Sequence, residues 1–356
     1  MLKFIKKALN AYLHRRSMKS LKNMIVNDHN DISVVRDDVF DARKYGFSLT
    51  ESQQLCLTKE NYKEYISTWE SYQPRVKSTP YFCMGDDKYI FSMTFGKFVE
   101  TPKTYAIIEN GEIVSVDADV NMENLYDFLL KNSGGVIKDR CGADGFGIYV
   151  FKLCDDKLFH KGKEYSEQDI KEIVKSFKRG IIQNIIEQGE FENEIFNKSI
   201  NTIRICSMRK KDSIEHEIVS VLKRMGTEQS YPTDNYHQGG AVASVDIETG
   251  EMSHITLMEA IDENGERIYY DKHPDTGVQI TGKKIPNWEK IKEQVIDLTR
   301  KLPYFDFIAW DVVLKDDGIA VIEINMKSGL GAIQTFGGLK KSLLGDKFRE
   351  FGYIKE

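Results

Sequence analysis

The stretch W-D-V-V-L-K-D-D-G-I-A-V-I-E-I-N, residues 310–325, contains two apolar strands joined by a turn. Asp316-Asp317-Gly318 has turn composition, and the alternation of side chains along a strand places Glu323 and Asn325 on one face. Because Asp311 opens the first strand, two carboxylates and an amide oxygen converge from paired strands. Such a set suits Mg²⁺, which takes a few protein oxygens together with phosphate oxygens. An ordinary surface hairpin is the alternative for this stretch taken alone.

The composition is typical of a globular protein without membrane spans. Of the 356 residues, 41 % are hydrophobic and 29 % are charged, enough chain for two or three subdomains. No apolar run approaches the length of a membrane span, and the N-terminus lacks the uncharged core of a secretion signal, so we expect a cytoplasmic protein. The five cysteines are scattered without a C-x-x-C pair, which favours reduced packing residues over disulfides or a zinc ribbon.

The net charge of −5 is distributed unevenly. Residues 1–24 contain seven basic residues and no acid, which leaves 43 basic against 55 acidic residues in the remainder. An acidic body argues against nucleic acid as the main partner. Apolar residues recur at near-helical spacing in the basic leader, so it could make peripheral contact with the inner face of an anionic membrane. Docking of this helix on the acidic body is the alternative.

The order of helix and strand signals predicts a mixed α+β chain with largely antiparallel strands. Ser48-Leu-Thr-Glu51 has the form of a capping box ahead of a helix running towards Trp69. Asn110-Gly111 between apolar runs predicts a hairpin. Asp87 and Lys88 enter a further helix. Other predicted elements are helices near 121–131, 166–180, 288–302 and 339–348, and strands at 136–138, 148–152, 181–186, 201–208, 215–222, 241–246 and 252–258.

Lys138 precedes a glycine-rich loop whose order excludes several nucleotide-binding schemes. Residues 139–147 read D-R-C-G-A-D-G-F-G and lead into a strand. A P-loop needs G-x-x-x-x-G-K-[ST], and a dinucleotide fingerprint opens a helix instead. The H-R-D and D-F-G motifs of protein kinases are absent. What remains is a strand lysine followed by a hairpin whose backbone N–H groups can close over phosphates, with a plain β-turn as the alternative.

Two later runs have features of ligand-contacting strands. The run 183–188 can act as a hinge, with Gln183 at the edge of an adenine and the isoleucines on its ring; a core strand with a polar edge competes with this interpretation. Arg204 lies inside an apolar strand and needs an anionic partner, either a phosphate or carboxylate ligand or a structural salt bridge. Substrate contacts are expected at a strand start and on polar loops, at Asn201, Asn235, His237, Gly239, Gly240 and His273.

These motifs, taken in order, resemble the ATP-grasp superfamily. More narrowly, S-I-N-T-I-R (199–204), Q-G-G (238–240), H-P-D-T-G (273–277) and I-P-N-W (285–288) resemble the sugar-transfer-associated ATP-grasp proteins of bacterial surface-polysaccharide loci. The resemblance implies an α+β ATP-grasp fold with the nucleotide between two α+β subdomains. The implied division is an N-terminal helical region with a basic leader at 1–87, a central or lid subdomain at 88–182, and a C-terminal subdomain with the metal site at 183–356.

The resemblance also implies site roles. Lys88 and Lys138 would hold the phosphates of ATP, and Arg204 with Lys138 would stabilise charge during transfer. Gln183 stands where the family usually has an acidic hinge residue, and residues 307–310 offer no arginine ahead of Asp311, a place that Arg204 can serve. The remaining implied contacts are Gly142, Gly145 and Gly147 for the lid, Ile185 and Ile186 for adenine, Glu190 or Glu192 for ribose, and Asp311, Glu323 and Asn325 for Mg²⁺, with Mn²⁺ as an alternative.

The reaction implied by the resemblance is ATP-dependent carboxylate–amine ligation through an acyl phosphate. Its substrates would be a small-molecule or lipid-linked sugar or sugar acid and an amino acid or amine. Two alternatives stay open: a kinase that stops at phosphorylation of a sugar or small molecule, and a non-catalytic ATP-binding partner of a glycosyltransferase complex.

Overall fold

A computed structural model of the protein describes residues 19, 22, 23, 25, 40–74, 81, 83–142, 147–326 and 329–354. Most of the predicted basic leader, and Gly145 of the predicted lid, lie outside the described residues. None of the helices in the described ranges is long and apolar enough to cross a membrane.

Short helices make up the N-terminal region: α1 (Leu49–Gln54), α2 (Thr68–Ser71), α3 (Cys83–Asp86) and α4 (Lys88–Phe95). The prediction of one helix from Ser48 to Trp69 is wrong. Ser48 caps α1, but the Glu51 carboxylate accepts from the Thr68 hydroxyl and does not complete the capping box. The chain turns away at Cys56, whose φ is 49°. A complete capping box starts α2 instead, between Ser67 and Glu70.

A seven-stranded antiparallel sheet forms the middle of the chain, in the order β2-β1-β7-β3-β4-β5-β6. The predicted hairpin at Asn110-Gly111 is present, with Glu109 opposite Glu112 and both turn residues at positive φ. Helices α5 (Leu125–Lys131) and α6 (Glu167–Ser176) pack on this sheet. The strands are β1 (Thr104–Glu109), β2 (Glu112–Ser115), β3 (Gly134–Asp139), β4 (Tyr149–Cys154), β5 (Lys157–His160), β6 (Lys163–Tyr165) and β7 (Arg179–Gln183).

A six-stranded antiparallel sheet follows, in the order β11-β10-β9-β8-β12-β13. Its strands are β8 (Thr202–Arg209), β9 (His216–Met225), β10 (Ala241–Val245), β11 (Met252–Leu257), β12 (Phe307–Lys315) and β13 (Gly318–Asn325). The helices of this part are α7 (Glu190–Ile195), α8 (Trp288–Thr299), α9 (Gly331–Gln334) and α10 (Leu343–Glu350). The mixed α+β architecture with antiparallel sheets therefore confirms the predicted fold class.

Both faces of the six-stranded sheet are packed, but not equally. One face packs on α8 through residues such as Ile205 and Val295. The other face packs on α9 and α10 through Cys206 and Phe348. Because side chains alternate along a strand, Arg204 lies on the same face as Cys206, beyond the part that these two helices cover. The remainder of this face carries the charged residues of the candidate site.

Candidate functional site

A row of charged residues crosses three neighbouring strands of the six-stranded sheet. In the register, Asp311 on β12 lies opposite Arg204 on β8 and opposite Glu323 on β13. Directly opposite residues point to the same face, so the three side chains are neighbours. Asp311 lies inside β12, whereas the sequence pattern placed it at the start of a strand; residues 307–310 already pair with β8.

Asp311 is held by two arginines. Its Oδ1 accepts from Arg204 Nε at 2.8 Å, and its Oδ2 accepts from Arg204 Nη2 at 2.7 Å and from Arg224 Nη1 at 3.1 Å. The residue is 1 % exposed. Burial acts to raise the pKa of Asp311, but the charges and hydrogen bonds of the arginines outweigh it, and the pKa lies below its usual value. Asp311 is therefore a buried, ionised carboxylate.

Arg224 is a site residue that the sequence reasoning missed. Its Nη2 donates to Asp234 Oδ1 at 2.8 Å, and Asp234 Oδ2 accepts from the Thr202 backbone N–H at 3.0 Å and from the Thr202 hydroxyl. Arg224 thus joins Asp311 to the beginning of the loop 233–240. The sequence contained a signal for this residue, because Arg224 interrupts an apolar strand just as Arg204 does.

Lys88, the first residue of α4, also lies beside this row of charged residues. Asp87 caps α4 by accepting from the backbone N–H groups of Tyr89 and Ile90, which fixes the helix start at Lys88. The Lys88 ammonium donates to Gly142 O at 2.7 Å and lies 3.9 Å from Glu323 Oε2. Lys88 therefore connects the first residues of the predicted lid to the six-stranded sheet.

Lys138 lies on β3 of the seven-stranded sheet, within electrostatic reach of both Lys88 and Glu323. Burial and, to a smaller extent, the charge of Lys88 lower the pKa of Lys138, Glu323 partly offsets the shift, and the resulting pKa is about 8. Two lysines attached to different elements thus lie together beside one carboxylate. Such a pair is strained by mutual repulsion, which a bound polyphosphate would relieve.

This depressed pKa leads to a pH-dependent affinity for ATP. Below pH 8 Lys138 is mostly protonated, and a bound phosphate favours that form; above pH 8 binding must also take up a proton. We expect the dissociation constant of ATP to rise as pH increases from about 7 to 9, by up to tenfold per pH unit for a single coupled proton. Titration calorimetry across this range measures it. A Lys138→Arg variant, which stays charged, should bind ATP with little pH dependence, and an equally steep rise in that variant would contradict the assignment.

Glu323, Asn325 and Asp311 supply oxygen atoms that fit Mg²⁺. Glu323 Oε1 accepts from Asn325 Nδ2 at 3.0 Å, so the carboxylate and the amide lie side by side. The arginines take three of the four acceptor positions on Asp311, which leaves one. No cluster of three or more His, Cys, Asp or Glu side chains placed for a metal occurs in the described ranges. A Mg²⁺ held here would take the amide oxygen of Asn325 as its third protein donor.

The predicted hinge connects the two sheets. Gln183, the last residue of β7, donates from Nε2 to Thr104 Oγ1 at 3.1 Å and to Pro102 O at 3.3 Å. Its Oε1 is buried and has no partner in the described part of the chain, which leaves an acceptor suited to an amino group such as that of adenine. Ile185 lies half-buried beside Gly134, and Ile186 packs on Val313 and Ala320 of the second sheet.

The structure decides between the two glutamates considered for ribose. Glu192 and Lys223 are both 0 % exposed, with Lys223 Nζ 2.6 Å from Oε1 and 2.5 Å from Oε2. Glu192 is thus fully occupied and is excluded as a ribose contact. Glu190 begins α7 with an exposed side chain, and its backbone N–H donates to Asp316 Oδ1 at 2.8 Å. Glu190 stays a prediction.

Two of the predicted substrate residues have structural roles instead. Asn201 is fully buried; its Nδ2 donates to the carbonyls of Glu192 and Phe196, and its Oδ1 accepts from Gly226 N. His273 is also buried, with Nε2 2.8 Å from Gly226 O and Nδ1 next to two backbone N–H groups. Every polar group of these two side chains already has a partner within the protein, so the structure assigns them packing and positioning roles.

The remaining predicted contacts lie in a tight turn and in the lid. Asn235 caps the short 3₁₀ helix Tyr236–Gln238 by accepting from His237 N, whereas the His237 side chain is exposed. Gly239 has φ 96°, and Gly240 packs so closely on the Asp234 carbonyl that a Cβ would clash. Gly142 accepts the Lys88 bond described above, and Gly147 has φ 65° with open space around it.

Solved structures with similar folds share little sequence with this chain. A D-alanine–D-alanine ligase from Helicobacter pylori matches 80 % of this chain and 70 % of its own, with 13 % identity and a TM-score of 0.43. The ligase from Bacillus anthracis matches 76 % and 62 %, with 15 % identity and a TM-score of 0.35. An N5-carboxyaminoimidazole ribonucleotide synthetase crystallised with ADP matches 69 % and 46 %, with 12 % identity and a TM-score of 0.38. This chain thus covers less than two thirds of the length of two of these three proteins.

No curated protein matches the sequence. The family model described as sugar-transfer associated ATP-grasp matches residues 67–344, which include both sheets and every residue of the charged site. The resemblance found in the sequence motifs is confirmed by this match. The chain therefore belongs to the sugar-transfer associated ATP-grasp family.

Proposed function

We propose that this chain is an ATP-dependent carboxylate–amine ligase that acts through an acyl phosphate. It would join an amino acid or amine to a sugar or sugar acid during the biosynthesis of bacterial surface polysaccharide. The observation that carries the proposal is the convergence of Lys88, Lys138, Arg204 and Arg224 on Asp311 and Glu323. With Asp234, which also binds Arg224, four cations face three carboxylates. One excess positive charge remains, which suits a triphosphate with its metal ion.

The residues of the chain position the reactants and neutralise charge. Lys88 and Lys138 are placed to hold phosphate oxygens, and the backbone after Asp139 can close over them. Arg204, fixed by two bonds to Asp311, presents a constant positive charge on the same face. Phosphoryl transfer leaves little covalent work for a protein, so positioning and electrostatic stabilisation are sufficient.

The proposed reaction has two steps. A carboxylate oxygen of the acid attacks the γ-phosphorus of ATP, the bond from that phosphorus to the bridging oxygen breaks, and ADP leaves. The amine nitrogen then attacks the acyl carbon, phosphate leaves with the bonding electrons, and the nitrogen loses a proton. Glu323, Asn325 and Asp311 would hold a Mg²⁺, whose charge would stabilise the negative charge of the phosphates.

The choice of substrates rests on the family description and on the motif resemblance. The description associates the family with sugar transfer, which supports a sugar or sugar acid as one reactant. Either a small-molecule or a lipid-linked sugar would serve, and an amino acid or amine would supply the nucleophile. Peripheral membrane contact through residues 1–24 would suit a lipid-linked reactant and is part of the proposal.

Product analysis tests the proposal. Purified protein is incubated with Mg²⁺, ATP and pooled sugar acids, amino sugars and amino acids, and ADP, AMP and new masses are followed together. We expect ADP and a mass equal to acid plus amine minus water. A control omits either the acids or the amines, and the condensed mass should then disappear.

Other outcomes would contradict the ligase. ADP with a mass gain of one phosphate, and with no need for an amine, would identify the kinase alternative. AMP in place of ADP would exclude an acyl phosphate. Confirmed ATP binding without turnover in any mixture, including one with lipid-linked sugars, would favour the non-catalytic partner.

A further inference from the structure

A niche of about 470 Å³ lies where the seven-stranded sheet meets a loop of the second sheet. Its size falls in the range of about 300–1,000 Å³ that is usual for small-molecule sites. The seven-stranded sheet supplies Gly147–Tyr149 and the β5–β6 hairpin, and the loop 226–240 supplies Pro232 and Gln238. The residues that line the niche are Gly147, Ile148, Tyr149, His160, Lys161, Lys163, Tyr165, Pro232 and Gln238.

The lining is cationic and aromatic, and none of the described lining residues is acidic. Lys161 and Gly162 form the two-residue turn of the β5–β6 hairpin, both at positive φ, and Lys163 is the first residue after the turn. Within the described ranges neither lysine has an ion-pair partner. The Lys163 ammonium lies 5.1 Å from the centre of the Tyr165 ring. Asp169 lies within electrostatic reach of Lys163, but its carboxylate caps α6 by accepting from the backbone N–H and the hydroxyl of Ser166.

Hydrogen-bond donors accompany the two charges. His160 Nδ1 lies 3.1 Å from Val150 N and 3.2 Å from Val150 O, so it can either accept from or donate to that residue, depending on its tautomer. The Tyr149 and Tyr165 hydroxyls have no hydrogen-bond partner in the part of the chain that the structure describes. Two ammonium groups and two hydroxyls, placed beside aromatic rings, suit an oxyanion attached to a polyhydroxylated ring.

The niche adjoins the candidate nucleotide site without coinciding with it. Tyr149 on β4 is the register partner of Ile137, the residue next to Lys138. Gly147 ends the predicted phosphate lid and also lines the niche. Lys88, Lys138, Arg204 and Glu323 do not line it. A ligand here would lie one strand from Lys138, with the Tyr149 side chain on the opposite face of the seven-stranded sheet from Lys138.

We propose that this niche binds the phosphate group of a phosphorylated sugar, the sugar reactant of the ligase. The inference rests on the proposed function and adds a substrate class to it. Lys161 and Lys163 contact the phosphate, and the tyrosines lie along the sugar. The source of the phosphate, whether a free sugar phosphate, a nucleoside diphosphate sugar or a polyprenyl diphosphate sugar, is left to the experiment.

Binding to the full chain tests the inference. The protein is saturated with Mg²⁺ and a non-hydrolysable ATP analogue and titrated with glucose, glucose 1-phosphate, uridine diphosphate glucose, and glucose linked to farnesyl diphosphate. At least one phosphorylated probe should bind and glucose should not. A double variant with Lys161→Gln and Lys163→Gln should bind the phosphorylated probe more weakly by about tenfold or more, because charge-assisted hydrogen bonds are lost. The affinity for the ATP analogue should not change.

The matched control carries the same change of charge away from the niche. Lys157 and Lys175 are exposed lysines paired with Glu164 and Glu172, and they do not line the niche. Replacing both with Gln should alter binding of the phosphorylated probe by less than about fivefold. Equal weakening in both double variants, or no binding of any phosphorylated probe, would overturn the inference.

The outcome is separable from that of the proposed function. If no phosphorylated sugar binds while the chain still joins other acids and amines with ADP release, the niche inference fails and the ligase stands. If a phosphorylated sugar binds through Lys161 and Lys163 but no condensed product forms with any amine, the niche stands and the ligase fails.

Discussion

Glu323→Gln is expected to abolish ATP turnover and to leave the fold intact. Glu323 lies at the end of the row from Arg204 through Asp311, next to Asn325 and 3.9 Å from the Lys88 ammonium. The change keeps the size of the side chain but removes the negative charge that attracts Mg²⁺. Loss of metal-based charge stabilisation is worth several kcal/mol, so we expect a rate lower by about 100-fold or more.

Turnover is measured as ADP release over a range of Mg²⁺ concentrations, and the fold is checked by the midpoint of thermal unfolding. Glu289→Gln is the matched control, since Glu289 is an exposed glutamate on α8 whose ion-pair partner is Lys292. The control should retain full activity. If Glu323→Gln equals the unmodified protein at all Mg²⁺ concentrations, the metal assignment is wrong.

Lys223→Met is expected to destabilise the protein more than any surface change. Lys223 on β9 and Glu192 on α7 form an ion pair that is completely buried. Burial lowers the pKa of Lys223 and raises the pKa of Glu192, so each charge depends on the other. Removing the lysine leaves a buried carboxylate without its partner, and breaking such a pair costs about 3–5 kcal/mol. Chemical and thermal unfolding monitored by circular dichroism measure the loss.

The pH dependence and a double variant separate the ion pair from simple packing. In Lys223→Met, Glu192 must stay protonated to remain buried, so its folded pKa exceeds its unfolded pKa and the stability deficit grows as pH rises from about 5 to 8. Adding Glu192→Gln removes the carboxylate and should restore most of the stability. A single variant as stable as the double variant at every pH would contradict this explanation.

Residues that act through local signals were predictable from the sequence. Asp87 caps α4 through the next two backbone N–H groups, and the Asn110-Gly111 turn joins adjacent strands. The neighbouring positions of Glu323 and Asn325 follow from the period of a single strand. These features depend on a few consecutive residues, and such patterns determine local conformation with little help from the remainder of the chain.

Features that depend on distant partners were missed. Glu51 does not complete its capping box because its carboxylate accepts a hydrogen bond from the hydroxyl of Thr68, 17 residues away. Asn201 looked like a substrate contact, yet carbonyls of α7 and an amide after β9 occupy its side chain. Arg224 belongs to the site because it donates hydrogen bonds to two carboxylates, those of Asp234 and of Asp311, which is 87 residues away. Hydrogen-bond partners of this kind are set by tertiary packing, which no local pattern encodes.

We propose that Lys88 and Lys138, which lie on different elements, hold Mg²⁺-ATP against Glu323 between the two sheets. The most direct measurement is the dissociation constant of ATP with and without Mg²⁺ for the unmodified protein, Lys88→Met, Lys138→Met and the control Lys157→Met. We predict that Mg²⁺ strengthens binding in the unmodified protein and the control, and that each site variant weakens binding by about tenfold or more through loss of a charge-assisted contact. Equal affinity in all four proteins, with or without Mg²⁺, would contradict the account.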